Sequence, residues 1–223
     1  MSNNEEEKWQ SMLKSIIEAL TDLSVNHYIF NGFMEIVEPN PDLPDNNLFI
    51  IWAWKNYLFT AAMGVRRQIS NKYDDVSLVN LLEDIKKEPS ILSRQRYTSL
   101  FKGTGLETEY HYINKCFDDI VGKGKDFIDP AEIENDIQRL NTTAESLKVY
   151  ATKTLAHAGK DAKSIKILPT IKDLDDSIDL FEKMLNKYYA LLNAGGIGLP
   201  KVAQVPWKEI FLKPWIQDKM NLV

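Results

Sequence analysis

Apolar residues recur at three- and four-residue steps through most of this chain. From Glu5 to about Val37 they fall at Trp9, Met12, Leu13, Ile16, Ile17, Leu20 and Leu23, one face of a long helix. The run "EPNPDLPDN" breaks that pattern, and Asp45 or Asn46 can cap a second helix reaching about Ser70. Ser77 is the cap candidate for "SLVNLLEDIKK", which Pro89 ends, and "SILSRQRYTSLF" reads as a short helix. "KGTGLE" is a loop, and "TEYHYINKCFDDIV" is a helix stopped by "GKGKD". Asp129 can cap the next helix, Pro130 suits its first turn, and Glu132 sits at the capping-box position. Ile133, Ile137, Leu140, Ala144, Leu147 and Ala151 carry its apolar face on towards His157. A last long helix starts at Thr170 and runs through Leu192 until "NAGGIG" stops it.

No segment alternates with period two, so the expectation is an all-α bundle with additional short helices. It is read as one domain over residues 1–223. Residues 1–37 form its N-terminal helix, and a tail over residues 200–223 packs back to bury Trp207 and Trp215. The segment "LFIIWAWKNYLFTAAMGV" is long enough to raise a membrane span. Lys55 and Asn56 lie in its middle, where lipid would be costly, so a buried central helix and no membrane are expected.

Charge narrows the chemistry. The net charge is -5, which offers no global attraction to nucleic acid, so any such contact needs a local basic patch. One cysteine, Cys116, cannot close an internal disulfide, and the polar acidic start lacks a signal-peptide core; both favour the cytoplasm. The three histidines are scattered, with no H-E-x-x-H and no paired cysteines, so no metal is expected. "KGTG" and "GKGK" lack Walker spacing, so no cofactor is expected either.

Two polar groupings remain. Arg139, Thr143, Ser146, Tyr150, Lys153 and His157 form a polar stripe on the presumed long helix. The stripe reads either as a site edge with Tyr150 and Lys153 beside His157, or as a solvated edge with a helix-end histidine. Asn56, Thr60 and Arg67 share one side of the apolar helix, with Arg66 on a neighbouring face. An arginine there either pairs with an acid and locks the bundle or awaits an anionic ligand.

The order of "VRRQIS", "SLVNLLEDIKKEPSILSRQRY", "DPAEIENDIQRL", "YATKTLAH", "LDDSIDLFEKMLNKYYALL" and "WKEIFLKPW" resembles the AbiU-type abortive-infection family of the HEPN helical superfamily. The resemblance runs from about Phe49 to Trp215. It implies a HEPN-like helical bundle, a homodimer, and metal-independent ribonuclease activity in phage defence or as a toxin, with an antitoxin or other protein as a possible partner. The family's histidine corresponds to His157. Its arginine has no counterpart, because Tyr150, Ala151 and Thr152 occupy those positions. Arg66 or Arg67 then substitutes from the central helix, or Lys153 does, or the chain is a catalytically inactive helical module that binds a partner protein or nucleotide.

Overall fold

The structure, a computed structural model, describes residues 2–43, 47–152 and 169–212. Among them the fold is all-α, with no strand. Helices α1 (Ser2–Val37), α2 (Leu48–Gln68), α3 (Leu78–Lys87), α4 (Arg94–Ser99), α5 (Tyr110–Val121), α6 (Pro130–Thr143), α7 (Glu145–Tyr150) and α8 (Ile171–Asn193) follow one another, with 3-10 turns at Pro89–Leu92 and Trp207–Leu212.

α1 is the spine. It packs on α2, α3 and α8, while α6 bridges α3 and α8, and α7 lies against α2. One apolar cluster fills the interior, from Trp9, Leu13 and Ile16 on α1 to Phe181, Leu185 and Tyr188 on α8. Local chemistry sets most boundaries. Ser77 accepts from the Asn80 amide, and Thr170 forms a reciprocal capping box with Asp173. Gly122, at φ 100°, ends α5 in a conformation that side chains disfavour.

Several expectations need correction. Asn47, not Asp45 or Asn46, caps α2, accepting from the amides of Phe49 and Ile50. The long helix from Asp129 does not continue. It breaks at Ala144, whose amide reaches back to both Leu140 and Thr142, and α7 restarts at Glu145. The apolar positions pass through the break unchanged, since Ala144, Leu147 and Ala151 are all buried. The break also splits the polar stripe, and the Ser146 hydroxyl is buried without a hydrogen-bond partner among the described residues. Glu132 does not close a capping box; it pairs with Lys187 at 2.8 Å. α2 is not a buried central rod. It buries Leu58, Ala61, Ala62, Val65 and Gln68, while Leu48, Phe49, Trp52 and Phe59 face outward. Among the described residues α2 alone is long and apolar enough to cross a membrane, and core helices share that property. The tail docks only in part: Trp207 lies on Gly32, but Ile210, Phe211 and Leu212 stay exposed. Trp215 lies outside the described residues.

Polar clamps lock the bundle. Asp136, nearly buried on α6, accepts from Lys187 at 2.7 Å and from the Tyr188 hydroxyl at 3.0 Å. Burial, with Asp136 nearby, pushes the Tyr188 hydroxyl well above its ordinary value, so it stays a donor. Asp136→Ala leaves the buried Tyr188 hydroxyl without its acceptor and Lys187 with Glu132 alone, and is expected to cost about 3 kcal/mol, against about 1 kcal/mol for Tyr188→Phe. Urea unfolding of both variants checks this; equal losses would contradict it.

Arg96 ties α4 to the last carbonyls of α8, at 2.9 Å from Leu191 and 2.8 Å from Leu192, and also pairs with Glu6 on α1. The Arg96 hydrogen bond, opposed by partial burial, holds Glu6 below its ordinary carboxylate value of 4.5. Burial pushes Asp84 up, but Lys8 and Lys87 outweigh it and leave that carboxyl lowered from 3.8. A depressed folded value means stability present above the unfolded value and lost as pH falls through the folded one. Melting temperature should therefore fall as pH drops below about 4.5, and less steeply for Glu6→Gln. Parallel curves for the two proteins would exclude Glu6 as a contributor.

Candidate functional site

Arg66 and Arg67 occupy the last turn of α2. Beyond them the chain turns through residues 69–77 under tight control. The Leu78 amide donates to buried Gln68, and the Ser77 hydroxyl donates to the Ser70 carbonyl at 2.6 Å. The Asn80 side-chain amide donates to the carbonyls of Lys72 and Asp75, at 2.6 and 2.7 Å. The Ser70 hydroxyl donates to the Asp75 carboxylate. This wiring holds Lys72, Asp74 and Asp75 in a fixed place relative to the end of α2.

Because α7 packs on α2, its exposed edge closes the other side. The result is a cleft of about 770 Å³ lined by Arg66, Arg67, Lys72, Lys148, Asp74 and Asp75, with Thr152 at its edge. Four cations against two carboxylates leave a net +2 in a chain whose net charge is -5. Asp75 is engaged by Ser70, and Lys148 lies 3.9 Å from Glu145. Neither Arg66 nor Arg67 makes an ion pair or side-chain hydrogen bond with any described residue. Bundle locking through an acid is therefore not their role among these residues. Two guanidiniums held beside a polar cleft, with donors unspent, suit a phosphate or carboxylate.

The expected residues fare unequally. Arg66 and Arg67 meet in the cleft. Tyr150 is half-buried and packs against the core rather than lining the cleft. Lys153 and His157 lie outside the described residues. Arg139 faces away, 3.7 Å from Asp136. Lys72 and Lys148 were not anticipated. Lys72 sits in a loop with no pattern of its own, and Lys148 reaches the cleft only through the packing of α7 on α2.

A second polar cluster joins α1, α2 and α8. His27 Nδ1 meets the Tyr57 hydroxyl at 2.5 Å, and Nε2 meets Asp175 at 2.6 Å. A Tyr57 donor to Nδ1 and an Nε2–H donor to Asp175 satisfy both contacts. The Asn31 amide nitrogen lies 3.0 Å from the same Nε2. Burial, then the Asp175 charge, pushes the Tyr57 hydroxyl above its ordinary value, so it donates rather than ionises. Tyr57 also stacks on Phe30, with ring centres 3.8 Å apart. The cluster fixes the spacing of α1 and α2. It lies ten residues, roughly 15 Å, along α2 from Arg67.

Among the described residues no group of three metal-type side chains converges. Glu107 accepts from the Gly103 amide, and His111 is exposed on α5. Cys116 is half-buried against the core. Comparison with protein families, curated proteins and solved structures gives no match for this chain.

Proposed function

We propose that this chain is a HEPN-type, metal-independent endoribonuclease of the cytoplasm, acting as a homodimer in phage defence or toxin action. The convergence of Arg66, Arg67, Lys72 and Lys148 on one cleft supports this reading most strongly. Cleavage without metal needs a base for the 2′-hydroxyl proton and cations for the charge that builds on the phosphorane. The cleft offers the cations, with Arg66 and Arg67 in place of the arginine that the resemblance lacks. His157 is the base, and Lys153 is a further cation near it in sequence.

In this mechanism the 2′-oxygen attacks the adjacent phosphorus as His157 takes its proton. The P–O5′ bond breaks and the 5′-oxygen takes a proton from solvent water, giving a 2′,3′-cyclic phosphate and a free 5′-hydroxyl. The wild-type protein in excess EDTA is expected to cut single-stranded RNA to these ends and to spare the all-deoxy substrate. Intact RNA under those conditions would favour the second reading, an inactive helical module that binds a partner protein or nucleotide. One observation favours that reading: no histidine among the described residues lines the cleft.

A further inference from the structure

Arg67 lines more than the polar cleft. It also stands at one end of a groove between α1 and α2, with a volume of about 590 Å³. That volume falls within the range of about 300–1,000 Å³ typical of small-molecule sites. On α2 the lining runs as one stripe from Phe49 and Ala53 to Gly64 and Arg67; on α1 it runs from Phe33 back to Ala19. The helices hold this spacing through the Tyr57–Phe30 stack and the contact of Gly64 with Leu23, which a Cβ would meet at 3.3 Å.

Shape selects the occupant. Ala53 to Arg67 spans fourteen residues, about 21 Å at 1.5 Å each. Spread over that length, the groove has a cross-section on the order of 30 Å². One extended hydrocarbon chain fits a groove of that length and cross-section. The far end is roofed by the 3-10 turn Trp207–Leu212. Trp207 lies so close to Gly32 that a Cβ there would stand 2.7 Å from its ring, and Phe211 packs at 6.0 Å from Phe33. The walls are therefore aromatic and aliphatic at the roofed end. At the open end they carry the Arg67 guanidinium, unpaired among the described residues, with the Asp22 carboxylate on the same rim. Asn56 and Thr60 already bond the backbone carbonyls of Trp52 and Asn56, which leaves the wall between the ends nearly neutral.

We infer that this groove binds a single-chain amphiphile with an anionic head, its tail beneath Trp207 and its head on Arg67. Charge decides the head group: a cationic head would face Arg67, while a phosphate or carboxylate gains it. Asp22 disfavours a second negative charge on the head and so favours the singly charged form. Because Arg67 serves both openings, the amphiphile and a phosphate in the polar cleft compete for one guanidinium. Each then weakens the other by the same factor. That regulatory part rests on the proposed RNA cleft; the binding part does not.

Decanoate and decyl phosphate, each below its micelle concentration, are the probes, titrated calorimetrically into the full chain. One-to-one binding is expected, weaker for decanol and for decyltrimethylammonium. Ala53→Trp fills the groove without touching the polar cleft and should weaken binding at least tenfold. Gly32→Val displaces the Trp207 roof and should do the same; circular dichroism establishes that both variants fold. Binding unaffected by both folded variants, or equal affinity for the cationic chain, overturns the site. In a second arm, decyl phosphate should weaken binding of a non-cleavable oligoribonucleotide by wild type but not by Ala53→Trp. If RNA binds and is unaffected, competition at Arg67 is wrong. If the amphiphile binds as expected and RNA does not bind at all, the groove stands and the ribonuclease reading fails.

Discussion

Replacing His157 with alanine should abolish RNA cleavage while leaving helical content and melting temperature nearly unchanged. A general base positioned on the attacking hydroxyl contributes about 10²–10⁴ in rate, so its loss leaves only the contribution of the cationic cleft. Imidazole suits the task because it titrates near neutrality. His157 lies five residues beyond Thr152, which lines the cleft, so chain length alone limits their separation to about 17 Å. The base should be visible in the pH–rate profile as an acid limb in wild type that the variant lacks. Gel-resolved cleavage in EDTA, alongside circular dichroism, separates the outcomes. If cleavage persists, or if the variant unfolds, His157 is a structural residue and the inactive-module reading takes its place.

The double variant Arg66→Ala/Arg67→Ala should lose RNA affinity by about 10² or more while retaining its fold. Hydrogen bonds to charged groups are each worth about 1.5–3 kcal/mol when a partner phosphate is present. Without a ligand the same side chains contribute little. Neither pairs with a described residue, so what they supply to folding is chiefly a favourable charge at the C-terminal end of α2, about 0.3–1 kcal/mol. The contrast between a large binding loss and a small stability loss is diagnostic of a ligand site. Both guanidiniums serve one phosphate, so in the double variant the slope of log affinity against log salt should be flatter by about 0.7 unit, the value of one phosphate contact on a single strand. Fluorescence anisotropy at several salt concentrations measures both quantities. An unchanged slope would place the phosphate contacts elsewhere.

The starts of α3, α6 and α8 were readable from local chemistry. Ser77, Asp129 and Thr170 act as caps because their side-chain oxygens satisfy amides one turn ahead, a constraint that sequence carries in full. The break at Ala144 was not readable, because buried Leu140, Ala144, Leu147 and Ala151 keep their spacing on both sides of it. Nor was the exposure of Phe49 and Trp52, since apolar composition states what a helix can bury and not what is available to cover it. At the site, Arg66 and Arg67 stood out as cations ending an apolar helix. Lys72 and Lys148 did not, because tertiary contacts bring them in: the Asn80 hydrogen bonds for one, the packing of α7 on α2 for the other.

The central claim is that the phosphate of an RNA substrate sits between the end of α2 and α7. The most direct measurement is a crystal structure of the protein with a 2′-O-methyl oligoribonucleotide, which removes the attacking proton and leaves the backbone intact. The account predicts one phosphate within hydrogen-bond distance of Arg66 and Arg67, with Lys72 and Lys148 close by and the His157 imidazole facing the 2′-oxygen. An oligonucleotide bound elsewhere, with the cleft free of phosphate, would contradict it.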